Sequence, residues 1–166
     1  MDLFQKCHEF TDAIALREQG AYPYFIPLDK NEGTEVIYEG RRIIMCGSNN
    51  YLGLTTHPKV RQAAINAIAE YGTSCTGSRF LNGNMTMIED LEKELAAWVG
   101  KEAALIFSTG MQTNLGTISA LVGKDDIIIM DKEDHASIVD GAFLSGGKIE
   151  RFRHNDMDHL ERVLRS

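Results

Sequence analysis

The feature that most constrains this sequence is a regular alternation of short apolar runs and amphipathic stretches after residue 57. The apolar runs at 103–107 and 127–130 have the length of buried strands, and residues 149–152 predict a further strand. Apolar residues recur at helical spacing over 58–71, 86–99, 110–121, 136–144 and 157–164. Strands that alternate with helices form parallel βαβ units, with helices on both faces of the sheet. The sequence therefore predicts an α/β fold.

The first 45 residues follow a different pattern. Residues 2–19 predict one helix, which the two prolines of segment 21–27 prevent from continuing. Two short strands, 35–38 and 42–46, flank Glu39-Gly40 and predict a β-hairpin. The expected boundaries are 1–45 for this helix-and-hairpin segment and 46–166 for the α/β domain.

Start and stop signals support several helices of the α/β domain. Pro58 suits the first turn of a helix, with His57 as its cap, and Gly72 and Gly100 mark helix ends. Thr86-x-x-Glu89 has the pattern of a capping box. The last helix reaches Ser166 without a stop signal, so we expect the sequence to be truncated.

Charge and composition exclude several classes of function. A net charge of −7 argues against a nucleic acid or an anionic membrane as the main partner. No apolar run approaches the roughly 20 residues of a membrane-spanning helix. The three cysteines lack metal-ligand or redox spacing. We therefore expect a cytoplasmic chain that is not integral to a membrane.

The segment 107–114, Phe-Ser-Thr-Gly-Met-Gln-Thr-Asn, joins a predicted strand to a predicted helix. The N–H groups in the first turn of a helix lack internal partners and suit a phosphate. Gly110 lets the backbone approach a ligand closely, and either Ser108 or Thr109 can add a hydroxyl. A simple N-cap and turn explains the same residues, and on this segment alone that explanation is favoured.

The loop after strand 127–130 carries His135. An imidazole at the mouth of a sheet can stack on a flat heteroaromatic ligand or exchange a proton near neutral pH. Asp131, Glu133 and Asp134 make a metal site the alternative, because hard cations bind oxygen ligands. Taken alone, His135 favours a structural role.

Two polar, glycine-rich loops, 47–53 and 72–83, form the third candidate region. Glycine lets a ligand come close to the backbone. Arg79 is the strong anion donor of these loops and suits a carboxylate or a phosphate.

Taken together, six motifs resemble, in order, those of the α-oxoamine synthases, a branch of the fold-type I pyridoxal-phosphate (PLP) enzymes. The motifs are Ser48-Asn-Asn-Tyr-Leu-Gly53, Thr76-Gly-Ser-Arg79, Phe107-Ser-Thr-Gly110, Asp134-His-Ala-Ser-Ile138, Asp140-Gly141 and Phe152-Arg-His-Asn155. The resemblance implies an incomplete three-layer, aspartate aminotransferase-like major domain. It also implies pyridoxal 5'-phosphate as cofactor, an amino acid and an acyl-CoA as substrates, and a homodimer.

The resemblance also implies roles for individual residues. His135 would stack on the PLP ring and help to order the amino-acid substrate. The implied cofactor-binding residues are Ser108, Gly110, Met111 and His135. The implied substrate-binding residues are Asn49 and Tyr51, near the substrate carboxylate or acyl group, and Ser78 and Arg79, near the acyl-CoA or the site of the dimer partner. Many relatives have an aromatic residue where Met111 stands, which a backbone contact tolerates.

The implied reaction uses PLP as an electron sink. The α-carbon of the amino acid attacks the thioester, CoA leaves, and decarboxylation gives an α-oxoamine. Serine is favoured by Ala21-Tyr-Pro-Tyr-Phe25, the loop 77–83 and Phe152-Arg-His-Asn155, and with palmitoyl-CoA the product would be 3-ketosphinganine. Alanine-, glycine- and threonine-related members share most of the motifs.

The resemblance implies a Schiff-base lysine that lies further on, and none of Lys101, Lys124, Lys132 and Lys148 has the matching context. We therefore expect these 166 residues to be inactive alone. Two other classes remain open. One is a non-catalytic partner subunit, and the other is a metal- or nucleotide-binding α/β domain.

Overall fold

The computed structural model describes residues 2–166, apart from the side chains of Asn31 and Glu32. The chain divides into two compact units, Met1–Ser74 and Cys75–Ser166. The first unit contains α1 (Gln5–Glu9), α2 (Asp12–Glu18), β1 (Lys30–Glu32), β2 (Glu35–Tyr38), β3 (Arg41–Ile44), a 3-10 turn (Leu54–Thr56) and α3 (Pro58–Tyr71). The second contains α4 (Thr86–Val99), α5 (Gly110–Leu121), β4 (Ile127–Asp131), α6 (Ala136–Ser145), β5 (Lys148–Phe152) and α7 (Met157–Arg165). The domain boundary expected after residue 45 stays a prediction.

The single helix expected over residues 2–19 is wrong, because α1 and α2 are separate. Phe10 leaves the helical region, with ψ 89°, and Thr11 precedes α2. The apolar side chains of Phe4, Phe10 and Ile14 are 62%, 63% and 54% exposed. Helices this short depend on packing of an apolar face. Because these side chains are exposed, packing does not stabilise a continuous helix through Phe10 and Thr11.

The predicted hairpin is confirmed, and it belongs to a three-stranded antiparallel sheet of order β1-β2-β3. Tyr38 pairs with Arg41 across a two-residue turn. Glu39 and Gly40 in that turn both have positive φ, 49° and 73°, as a type I′ hairpin turn requires. Val36, on β2, is only 1% exposed and is the buried centre of the sheet. The sequence pattern missed β1.

The caps of α3 agree with the prediction. His57 Nδ1 accepts a hydrogen bond from the Lys59 N–H at 3.2 Å, directly before Pro58. Gly72, with φ 80°, ends the helix. Among the described residues, no helix combines the length and apolarity needed to cross a bilayer.

The second unit contains a parallel βαβ element, as the alternating pattern predicts. β4 pairs with β5 in parallel, with Ile127 opposite Lys148 and Asp131 opposite Phe152. α6 is the crossover between these strands and packs against α5, while α7 packs against β5. The side chains buried in this unit include Met130 on β4 and Ala142 on α6. The carboxyl end of β4 leads directly to His135.

Two local predictions for this unit are wrong. The capping box at Thr86 does not form, because Met85 is the N-cap residue and Thr86 is already helical. Glu89 instead accepts a hydrogen bond from Asn84 Nδ2 at 2.7 Å. The run 103–107 is not a strand, since no strand within residues 2–166 pairs with it. A strand requires a hydrogen-bonded neighbour, and apolarity alone does not make one.

Candidate active site

His135 stands between the end of β4 and the start of α6. Its Nδ1 accepts a hydrogen bond from the Ser137 N–H at 3.1 Å and lies 2.8 Å from Ser137 Oγ. The imidazole is therefore the N-cap of α6. Because the cap uses Nδ1, Nε2 and the faces of the exposed ring remain available to a ligand.

The segment 107–114 forms the predicted N-terminal turn of a helix, α5, although the run 103–107 that precedes it is not a strand. Thr109 Oγ1 caps α5 by accepting the Gln112 N–H at 3.1 Å. Within the part of the chain that the structure describes, the N–H groups of Gly110 and Met111 have no partner. An added Cβ at Gly110 would meet nothing within 4 Å. The first turn of α5 thus offers two backbone donors to open space.

A buried contact links the starts of α5 and α6. Asn114 Nδ2 donates to Ser137 Oγ at 2.8 Å, and Ser137 is only 3% exposed. One turn further on, Gly141 faces the Asn114 carbonyl oxygen and Ile118. The two helices therefore run in the same direction, with their N-termini at the same end. The free N–H groups of α5 and the ring of His135 share that end.

These groups fit a phosphate ester attached to a flat heteroaromatic ring, as in the cofactor that the sequence implies. Backbone donors at a helix N-terminus suit the phosphate dianion. The hydroxyl of Ser108 precedes them in the chain, and the exposed imidazole of His135 suits stacking on the ring. Met111 is 53% exposed, so its side chain is not part of a packed core.

In the acidic loop that suggested a metal site, two carboxylates accept hydrogen bonds from backbone N–H groups of the loop itself. Asp131 Oδ1 accepts the Glu133 N–H at 2.8 Å, and Asp134 Oδ2 accepts the Asp131 N–H at 3.0 Å. Across residues 2–166, no group of three His, Cys, Asp or Glu side chains is arranged to hold a metal ion. These carboxylates shape the loop that leads to His135.

His154 contacts Asp131, which the sequence did not predict. His154 Nδ1 lies 3.0 Å from Asp131 Oδ1, which joins the carboxyl ends of β4 and β5. The hydrogen bond from Glu133, and then the contact with His154, lower the pKa of Asp131. Its contact with Asp131 raises the pKa of His154. The available signal was position, since parallel strands bring residues at their carboxyl ends together.

Arg79 is held inside its own unit by Glu92. Its Nη1 and Nη2 donate to the two carboxylate oxygens at 2.5 and 3.0 Å, and its Nε donates to Asn84 Oδ1 at 2.9 Å. The Ile106 N–H also donates to Glu92, at 2.8 Å. This network connects the loop 75–84 to α4 and to the run 103–107. The guanidinium fork is already paired, so its predicted contact with a ligand stays a prediction.

Ser78 is exposed and begins a tight turn within the same loop. Its carbonyl oxygen accepts hydrogen bonds from the N–H groups of Leu81, Asn82 and Gly83, at 3.1, 3.2 and 2.8 Å. The turn exposes 93% of Phe80. The predicted substrate contact of Ser78 also stays a prediction.

Asn49 and Tyr51 lie in the first unit, on the loop 47–53. Ser48 Oγ accepts the Asn50 N–H at 3.0 Å, which shapes the start of this loop. Tyr51 is 88% exposed, and Asn49 lines a cavity of about 530 Å³ with Arg61. Both side chains are accessible to a ligand.

A comparison with protein families matches residues 41–166 to "Aminotransferase class I and II". The chain belongs to this family. It is 48% identical over 162 residues to a serine palmitoyltransferase of Sphingobacterium spiritivorum, covering 98% of this chain and 41% of that protein. It is 46% identical over 149 residues to an 8-amino-7-oxononanoate synthase of Geobacter sulfurreducens, covering 90% and 38%. The chain thus spans about two fifths of the length of these curated relatives.

Solved structures confirm the predicted fold class for this aminotransferase-family chain. A serine palmitoyltransferase from S. paucimobilis with bound PLP–myriocin aldimine matches with a TM-score of 0.91 and 35% identity, over 99% of this chain and 42% of that one. The Sphingomonas wittichii serine palmitoyltransferase matches with a TM-score of 0.87 and 40% identity, over the same shares. The fold is that of the corresponding part of these proteins.

Acid is expected to destabilise this family member through Glu92. The paired guanidinium of Arg79 and the Ile106 N–H lower the pKa of Glu92 from 4.5 to about 2. A carboxyl with a lowered folded-state pKa stabilises the fold above pH 4.5, and this contribution is lost as the pH falls toward 2. Glu92→Gln should therefore unfold at lower urea concentration than the parent at pH 7, with the difference shrinking below pH 4.5.

Glu94→Gln is the matched control, because Glu94 is exposed on the same helix. This variant should unfold at nearly the parent urea concentration at every pH. An offset between Glu92→Gln and the parent that stays constant from pH 7 to pH 2 would contradict the role of the ion pair.

Proposed function

We propose that this chain is part of a PLP-dependent acyltransferase that condenses an amino acid, with serine favoured, with an acyl-CoA. Decarboxylation then gives an α-oxoamine, which is 3-ketosphinganine when the substrates are serine and palmitoyl-CoA. One observation carries the proposal. The unpartnered N–H groups of Gly110 and Met111 lie at the same end of the paired helices as the exposed ring of His135.

The cofactor would be held by residues of the second unit. Ser108, Gly110 and Met111 would bind its phosphate, and His135 would lie against its ring. When bound, PLP supplies an electron sink for negative charge that develops at the α-carbon of the amino acid. The donor set at the start of α5 supports this assignment, because it offers hydrogen bonds without a competing carboxylate.

His135 would also orient the amino acid. Its Nδ1 is occupied by the cap of α6, so its ring proton is on Nε2 and points away from the helix. An N–H donor at that position suits the carboxylate of an amino acid. Holding this group fixes which bonds of the α-carbon face the ring, and orientation of this kind lowers the barrier of the reaction.

The substrate contacts proposed for Asn49, Tyr51, Ser78 and Arg79 rest on the motifs that carry the family resemblance. Their side chains lie on exposed or partly exposed loops, which suits contact with a large acyl-CoA. Arg79 would act with its guanidinium held in a fixed position by Glu92, which also offsets its positive charge. A homodimer, a cytoplasmic location and a Schiff-base lysine outside these 166 residues complete the proposal.

An alanine-using enzyme is the second candidate. The relative from Geobacter sulfurreducens named 8-amino-7-oxononanoate synthase is 46% identical to this chain, against 48% to 51% for the serine palmitoyltransferases. The two candidates share the cofactor and the type of reaction. They differ in the amino acid and in the acyl group.

The decisive experiment expresses the complete gene and measures PLP binding and CoA release. We expect PLP to change the visible absorption spectrum, and CoA to appear when serine and palmitoyl-CoA are added together. Faster CoA release with alanine in place of serine would select the second candidate. PLP binding without CoA release from any amino acid would favour a non-catalytic partner subunit. A protein whose absorption spectrum does not change with PLP and that retains a metal would refute the proposal.

A further inference from the structure

A buried hydroxyl lies between the candidate catalytic histidine and a neighbouring helix. Ser137 is 3% exposed, and its Oγ is 2.8 Å from both Asn114 Nδ2 and His135 Nδ1. Ser137 is also the residue whose N–H donates to His135 Nδ1, at 3.1 Å. The three side chains form a continuous hydrogen-bonded series from α5 to the imidazole.

The directions of these hydrogen bonds follow from the donors. A backbone N–H can only donate, so His135 Nδ1 carries no proton. The Nδ2 group of Asn114 can also only donate, so Ser137 Oγ accepts from it and directs its own proton to His135 Nδ1. His135 is therefore in the tautomer with its proton on Nε2, and both the N–H and the hydroxyl of Ser137 contact its Nδ1.

Gly141 explains why Asn114 can reach Ser137. A Cβ on Gly141 would lie 3.1 Å from the Asn114 carbonyl oxygen and 3.1 Å from Ile118 Cδ1. Those distances are tighter than ordinary van der Waals contact, so α6 approaches α5 closely only because residue 141 has no side chain. The spacing between the helices sets the position of the Asn114 amide.

We propose that Asn114 and Ser137 are positioning residues that fix His135 in one tautomer and one ring orientation. The proposal rests on the proposed function, in which His135 lies against the cofactor ring. Without the two side-chain contacts, only the Ser137 N–H at 3.1 Å would hold Nδ1, so the ring would rotate more freely and exchange its proton more often between the two nitrogens. It would then present Nε2–H and a defined face for only part of the time.

The test measures the tautomer directly by NMR, on the complete protein labelled with ¹⁵N-histidine. The His135 signals are assigned as those lost in His135→Asn. In the parent we expect a pyridine-type shift at Nδ1 and a pyrrole-type shift at Nε2. In Ser137→Ala only the backbone N–H contact at 3.1 Å remains at Nδ1, so in this variant and in Asn114→Leu we expect the two shifts to move part of the way toward each other. We also expect kcat to fall about tenfold, as for other residues that orient a functional histidine.

Two further variants separate positioning from folding. Ser137→Thr retains the hydroxyl and should restore the single tautomer. Ser145→Ala removes a hydroxyl near the other end of α6, where its Oγ donates to the Ala142 carbonyl oxygen at 2.7 Å. This variant should keep the tautomer and kcat of the parent.

A single Nε2–H tautomer in Ser137→Ala, with parent kcat, would overturn the proposal. So would a parent protein whose His135 already exchanges between tautomers. The proposed function fails separately, by the absence of a PLP spectrum in the parent. The tautomer measurement in the PLP-free protein does not depend on that result.

Discussion

Replacing His135 with asparagine is expected to leave the complete protein folded and to lower kcat/KM about 100-fold or more. Asparagine is a good N-cap residue, so its side chain can accept the Ser137 N–H in place of Nδ1. The substitution removes the ring face and the Nε2–H donor. The affinity for PLP, measured by absorbance titration, should fall with kcat/KM, while the urea midpoint should change little.

The matched control is His57→Asn. His57 caps α3 through the same atom, with Nδ1 accepting the Lys59 N–H at 3.2 Å, but it has no place in the proposed site. This variant should retain the parent kcat/KM and PLP affinity. If both variants lose activity equally, the effect belongs to helix capping, and the role assigned to the ring of His135 is wrong.

Gly83→Ala is expected to destabilise the second unit by about 3 kcal/mol, at the upper end of what overpacking costs. Gly83 is buried in the turn that begins at Ser78, and its N–H donates to the Ser78 carbonyl oxygen at 2.8 Å. A methyl group on Gly83 would overlap the carbonyl oxygen of Gly77. That oxygen belongs to the backbone, so no side-chain rotation relieves the overlap. Urea unfolding followed by circular dichroism measures the loss.

Gly123→Ala is the corresponding control in the same unit. An added Cβ there would lie 3.9 Å from Asp126 Oδ2, which is ordinary contact, and its φ is not in the left-handed region. We expect a change within about 0.5 kcal/mol of the parent, as for other substitutions without steric conflict. Equal stability of the Gly83 and Gly123 variants would show that the turn rearranges to accept a side chain.

The elements that the sequence predicted correctly have regularly spaced apolar residues and a proline or glycine near one end. Pro58, Gly72, Gly100 and the alternation beyond them place the helices and the parallel pair within a residue or two. β1 has the sequence Lys-Asn-Glu, which has no apolar alternation, and it exists because β2 pairs with it. The run 103–107 has the composition of a strand without a paired neighbour among the described residues. Strand pairing depends on two segments of the chain. The sequence of one segment alone therefore shows neither that β1 is a strand nor that the run 103–107 is not.

The candidate site shows the same limit. His135 and the segment 107–114 are recognisable from their positions after predicted strands. The contact of Asn114 with Ser137 depends on how closely two helices approach, which Gly141 decides. The pairing of Arg79 with Glu92 joins residues 13 apart across a loop and a helix. These hydrogen-bond partners are determined by how the helices and loops pack. The sequence alone showed only which side chains are able to form hydrogen bonds or ion pairs.

The parallel arrangement of β4 and β5 also affects how the second unit assembles. Parallel strands cannot be joined by a tight turn, so all of α6 must be accommodated before the first hydrogen bond of the ladder forms. Closing that span costs chain entropy, and a helix formed early shortens it. His135 and Ser137 stand at the start of α6, so the hydrogen bonds that orient the imidazole also cap the crossover helix. The geometry of the site and the connection between the two parallel strands thus share the same few hydrogen bonds.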